Sequence, residues 1–455
     1  MDAKELREYR TKMYTDLYSG IVPDRFPVND GLGIEYMIQF AGKNLLTTQY
    51  EYSTELITEI LENAVTKLSR GDNFSASWAR NPVALIFTRN LGNVMSNTGF
   101  IQHPEISGFS ADEYDDFIAN PHEFLTDVVV PRLNPAYAGT PAEMAFAYAR
   151  NYLATVDVNA MFAKANAYIT EKYGYFTPVP GSTGMTAPPF DTLADFNRGF
   201  SNIVLDIRRC PQKVLDAMEA LMPMAIYQQR TRVVDITGCS RIMTHMGVFL
   251  RQKDFDRFYW PTFYKLCHIA GERGQRMYIF CEGDWTRFTD NLYELPAGAR
   301  YWFEYGDARK YKDVLGKKHI LGGLYPLTTL KTGTREQCID KAKELIDIMA
   351  PGGNFFFDFD KHTLNISDIE PENYVAVQEY ALANAKYDNP GEKSINYVFE
   401  DTVSKFSDQY PEFKSKYVMS WEEYKKLYPP VNDLVEPIMK EKYEKYTAMI
   451  PGFIR

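Results

Sequence analysis

Side chains able to transfer protons or bind metal recur where apolar runs end. "MYIFCEGDW", residues 277–285, closes on Glu282, Gly283, Asp284 and Trp285. "RYWFEYGD" ends in Glu304 and Asp307, "HILGGLYP" in Tyr325, and "NFFFDFDKH" in Asp358, Asp360 and His362. His245, in "THMGVF", comes soon after the run "RVVDITG". Carboxylates and imidazoles gathered in one apolar cleft support two kinds of chemistry. Burial raises a carboxyl pKa until the group serves as a general acid or base, and the same donors ligate a divalent cation. Each residue also has a plainer role. Asp284 and Asp307 stand where helix N-caps stand. Asp358 alternates with Asp360, so both project to one side of a strand. His362, His268 and His103 suit surface or packing positions. Cys281 neighbours Glu282 and faces the other way, as a buried thiol.

The elements that position these groups follow a rhythm from about residue 175 onward. Short β-prone runs ("YFTPVPG", "RVVDITG", "RMYIFCEGD", "RYWFEYGD", "HILGGLYP", "NFFFDFDKH") alternate with helical stretches such as "DFDRFYWPTFYKLCHIAGERG" and "TREQCIDKAKELIDIMAPGG". "NPVALIFTRN" is read as an earlier strand. Continuous hydrophobicity without alternation suits strands covered on both faces. Repeated strand–helix units predict a parallel sheet, closed as a (β/α)8 TIM barrel; an open doubly wound sheet is the alternative. In a barrel the strand C-termini form the active mouth, which is where the polar residues above fall.

Residues 1–75 are read as an N-terminal helical segment, with Gly20 and Gly71 as helix stops. The barrel is expected over 76–385, and 386–455, ending in "MIPGFIR", as a C-terminal helical extension. "HPEISGFSADEYDDFIANPHEFL" is read as a polar helical segment.

The net charge of −10 argues against nucleic acid as a partner, because phosphate binding needs a basic face. Five cysteines form no CxxC pair and are odd in number, which disfavours a secreted disulfide framework. "MDAKELREYR" has no apolar signal region, and no run of about eighteen apolar residues exists to span a membrane. A cytoplasmic protein is expected. No GxxxxGK[ST], HExxH or GxSxG is present, and the GxG of "GLGIEY" follows no strand, so nucleotide-binding readings lose their support.

"HILGGLYPLTTLKTGTREQCIDKAKELIDIMAPGGNFFFDFDKH", then "PENYVAVQEYA", resembles the C-terminal half of the uroporphyrinogen decarboxylase superfamily. "THMGVFLRQKDFDRFYWPTF" is similar to the segment that precedes that superfamily's active-site strand. The resemblance covers roughly residues 175–385 well and the N-terminal third weakly. The decarboxylase branch carries an Arg-rich N-terminal motif that this chain lacks, whereas "FCEGD" looks like the strand ending of corrinoid-dependent methyltransferases. The resemblance therefore implies transfer of an O-, N- or S-methyl group between a small methylated substrate and the cobalt of a corrinoid. That corrinoid would be carried by a partner corrinoid-binding protein, and the chain itself would be a homodimer. A barrel decarboxylase or lyase acting on an organic acid, with Arg241 or Arg300 holding carboxylates, is the alternative, and a non-catalytic corrinoid-protein chaperone is a third. Zinc-containing members bind the metal through His-x-Cys and a later Cys; here Phe280, Glu282 and Asp360 occupy those places. The catalytic set implied is Glu282, Asp360, His245 and Asp284, with Phe280, Gly283, Trp285 and Tyr325 around the substrate. Either Glu282, Asp360 and His245 hold zinc, or Glu282 acts without metal. "DKHTLN" approaches a corrinoid-binding motif but lacks its glycine and its Rossmann-like context, so it is read as coincidence.

Overall fold

The computed structural model describes residues 1–51 and 53–449 and, at Phe196, the backbone alone; the end of "MIPGFIR", from Ile450 on, lies outside the described residues. Six parallel strands pair in chain order: β1 (Thr183–Thr186), β2 (Cys239–Thr244), β3 (Met277–Asp284), β4 (Arg300–Tyr305), β5 (Ile320–Tyr325) and β6 (Asp358–Phe359). Helices separate them, as parallel connections require. Trp260–Glu272 lies between β2 and β3, and Arg335–Met349 between β5 and β6. Thr334 and Gln337 form a capping box that starts the latter.

Beyond β6 the sheet continues through isolated parallel bridges. Val28 pairs with Phe357 and Asn73 with Phe176. The Asp72 amide donates to the Val28 carbonyl (2.7 Å), and the Phe176 amide to the Asp72 carbonyl (2.9 Å). The circuit thus returns to the segment leading into β1, in keeping with the expected α/β barrel. The stretches around Val28 and Asn73 belong to this ring although the sequence places residues 1–75 in a helical segment. A buried ion cluster fastens them: Asp72 takes bonds from Arg10 (3.1 Å), from both Nη of Arg25 (2.7 and 2.6 Å) and from the Val28 amide (2.9 Å).

Several expected elements move. "RVVDITG" is irregular, and the strand begins directly after it at Cys239. "YFTPVPG" contributes only the Phe176 bridge, and the strand there is "TGMT". "NPVALIFTRN" is a helix, Pro82–Thr88, capped by Asn81. Gly20 (φ 73°) does follow the first helix, Ala3–Tyr18, whereas Gly71 is not the stop of Thr54–Lys67. Residues 77–173 form an excursion ending in the 33-residue helix Pro141–Tyr173. Past residue 385 the described chain holds short helical turns and two helices, Trp421–Leu427 and Glu436–Thr447.

Strand alternation sorts the side chains. On β3, Ile279 and Cys281 are fully buried in one core cluster with Phe263 and Cys267 of the covering helix. Tyr278, Phe280 and Glu282 point to the inner face. On β2, Ser240, Ile242 and Thr244 are fully buried, whereas Arg241 and Met243 are exposed within the ring. Among the described residues no helix is long and apolar enough to cross a membrane.

Candidate active site

Glu282 and His245 meet at the C-terminal mouth. β2 ends at Thr244, and His245 leaves the strand with its Nε2 3.7 Å from Glu282 Oε1. Its Nδ1 lies 3.1 Å from Asp195 Oδ2. Asp195 sits in a π-helical turn, Ala194–Arg198, that follows β1 and the short helix Pro189–Leu193. Such wide turns recur at functional sites because they re-aim side chains. One turn earlier on the same face, Asp191 is buried and accepts the His245 amide (3.0 Å), the Met246 amide (2.9 Å) and the Tyr259 hydroxyl (2.8 Å). It thereby holds the backbone that presents the imidazole.

The electrostatics make this a proton store. The hydrogen bond to Asp195 raises His245 to about 9 against the desolvation of a half-buried ring, with further support from Asp195, Glu282 and Asp191. Burial raises Glu282 above the usual carboxylate value, His245 opposes that shift, and Glu304 and Asp195 add to it. Burial, then Asp195, pushes Asp191 to about 7. Asp195 and Glu282 thus flank a ring whose raised value favours the imidazolium at neutral pH. An Asp195→Asn variant is expected to bring His245 down from about 9 toward its usual 6.5. NMR titration of the ring checks this, and an unmoved midpoint would remove Asp195 from the relay.

A second group adjoins the first. β3 carries a bulge between Cys281 and Asp284, made possible by Gly283 at φ 78°; a Cβ there would stand 2.9 Å from Val248. The freed Gly283 amide donates to Glu304 Oε2 (2.9 Å), and Glu304 Oε1 faces Lys361 Nζ at 3.3 Å. Asp360 is buried, raised to about 6 chiefly by that burial, and spends Oδ1 on the Leu327 amide (3.1 Å). Asp358 is bonded to Asn29 (2.8 Å) and to the Phe359 amide (2.8 Å).

Not all the expected residues join the mouth. Asp284 is exposed and caps the following turn through the Thr286 amide (2.8 Å); Asp307 caps Ala308–Leu315 in the same way. Trp285 is fully buried among Phe255, Tyr259 and Phe288, and its Nε1 donates to the Glu282 carbonyl (3.0 Å). It braces β3 from behind and offers a ligand no surface. Tyr325 is likewise fully buried, bonded to the Cys338 carbonyl (2.9 Å). Phe280 does line the inner wall, 4.4 Å from Trp302 between ring centroids, and Trp302 lies 5.1 Å from His362. His268 packs inside and accepts the Ser404 amide (2.8 Å). Cys281 is the fully buried thiol expected.

The residues expected to hold zinc are brought together only in part. Both ring nitrogens of His245 face carboxylates, and Asp360 is committed to a backbone amide. Among the described residues no group of three His, Cys, Asp or Glu side chains is arranged to hold a metal ion. His245 and Glu282 stand together, and Asp360 is not grouped with them.

The sequence reading missed Asp191 and Asp195. Their signal was the i, i+4 pair in "PPFDTLADF", which follows the unrecognised strand β1. Residues 155–364, which contain all six strands and both carboxylate groups, match the family model of uroporphyrinogen decarboxylase (URO-D). Residues 155–364 thus form a region of the uroporphyrinogen decarboxylase superfamily. No curated protein matches the chain. In this uroporphyrinogen decarboxylase-type sheet, the Asp195–His245–Glu282 relay lies at the strand C-termini, where parallel α/β folds place their chemistry.

Proposed function

We propose that the protein moves a methyl group from a small O-, N- or S-methylated substrate to the cobalt of a corrinoid carried by a partner protein. The observation that supports this reading is His245, held between Asp195 and Glu282 above an aromatic inner wall. An oxygen-bound methyl leaves slowly because the expelled oxygen is too basic, and a positioned acid removes that obstacle. The corrinoid supplies the nucleophile that takes the methyl carbon. Within this chain, Glu282 faces the departing oxygen and passes it a proton as the carbon–oxygen bond breaks. His245 recharges Glu282 from Nε2, and Asp195 holds the ring in place. Phe249, exposed beside His245 with ring centroids 6.2 Å apart, gives the mouth an apolar lip against which a flat macrocycle can rest.

The test is incubation of purified protein with cob(I)alamin and a panel of methoxyarenes and methylamines. Methylcobalamin absorbance is expected with at least one donor. Release of CO2 from an organic acid without cobalamin, and no methylcobalamin from any donor, would replace this reading with a decarboxylase.

A further inference from the structure

Arg241 is a charged side chain inside the ring that nothing in the mechanism uses. It pairs in register with Met185 of β1 and Tyr278 of β3, and the residues on either side of it, Ser240 and Ile242, are fully buried toward the helices. Its guanidinium is therefore aimed into the barrel, below His245 on the same strand. It is exposed there, rests 5.5 Å from the Tyr278 ring centroid, and among the described residues has no carboxylate partner. Arg300, by contrast, is buried, donates to the Thr237 carbonyl (3.4 Å) and to the Ile236 carbonyl, and stacks on Tyr18. It is part of the floor, with both Nη spent on carbonyls.

An Arg fork open to a cleft and lacking an acceptor is built for a bidentate anion. Between Arg241 and the proton relay the wall is apolar: Phe280 and Trp302 stand on one side, and Met185 and Met243, both exposed inward, on the other. Arg241 lies three residues before the strand's end at Thr244, roughly 10 Å at ~3.3 Å per residue, and His245 follows directly. His362, beside Trp302, is the titratable group that feels Arg241, and burial followed by that charge holds it down to about 4, so it adds no positive charge and a monoanion matches Arg241 better than a phosphate dianion.

We infer that Arg241 anchors the carboxylate of an aromatic monocarboxylic acid whose far end reaches Glu282 and His245. This inference rests on the proposed methyl transfer for the identity of the far end, but not for the anchor. The experiment measures binding alone, without corrinoid. Calorimetric titration with benzoate and 4-methoxybenzoate is expected to show saturable binding to the wild-type protein. Arg241→Gln should weaken it about 10- to 100-fold, and Arg241→Lys should fall between the two. The neutral isostere 4-methoxybenzamide should bind all three proteins equally weakly. Absence of saturable carboxylate binding, an amide as tight as the acid, or an unaffected Arg241→Gln variant would overturn the inference. Circular dichroism of both variants excludes unfolding as the cause. Failure of methyl transfer with carboxylate binding intact would discard the reaction and leave the anchor standing.

Discussion

Turnover by a Glu282→Gln variant is expected to fall on the order of 10²–10⁴-fold while the protein stays folded. The amide keeps the size of the carboxyl group and its place on the bulge, but it cannot carry the acid proton. Glu282 is half-buried at the strand end and belongs to no core cluster, so the substitution has little to unfold. Steady-state rates with the donor identified by the corrinoid assay, read beside a thermal melt, separate the two effects. A variant that retains wild-type rates would remove Glu282 from the chemistry. The pH profile adds a second check. The proposed proton delivery needs a protonated His245, so activity should hold up to about 9 and decline above it. The same sign governs stability. The folded value lies above the usual 6.5, so the contribution of this imidazolium is present in full below 6.5 and disappears as pH rises through about 9.

The second large effect concerns the fold. Asp72→Asn is expected to destabilise the protein by about 3–5 kcal/mol, because it removes one partner from a buried charge cluster. Asp72 is fully buried and faces two guanidinium groups. An asparagine turns one acceptor oxygen into a donor that opposes them. Arg10 keeps its carbonyl partners at Gly71, Tyr173 and Gly174, whereas Arg25 loses one end of its carboxylate fork and keeps the Phe26 carbonyl. A shift of the urea midpoint checks the prediction, and an unchanged midpoint would show that the cluster is not what ties the first segments to the ring.

The sequence displays the strands that carry large apolar side chains and hides the others. β3, β4 and β5 stand out because "MYIFC", "RYWF" and "ILGGLY" are continuous runs between helices. β1, "TGMT", is short and poor in bulky residues, and the stretches around Val28 and Asn73 are rich in Pro, Asn and Asp. These pair through the backbone, which leaves little side-chain pattern to read. "RVVDITG" misleads in the opposite sense, since its β-branched residues precede the strand instead of forming it. The site divides along the same line. Glu282 and His245 are legible as polar ends of recognisable runs. Asp191 and Asp195 follow the hidden strand and went unseen with it. Trp285 and Tyr325 show that an aromatic at a strand end serves equally well as a plug behind the sheet.

The bulge at Gly283 has a consequence for how such a protein changes over time. Because the extra residue absorbs the local geometry, the side chain at position 282 can be exchanged without disturbing Ile279 and Cys281, which answer to the helices. Reactivity and packing are inherited on separate faces of one ribbon. A lineage carrying this sheet can therefore swap an acid for a thiol, or the reverse, at one position and drift between reaction types with its scaffold intact.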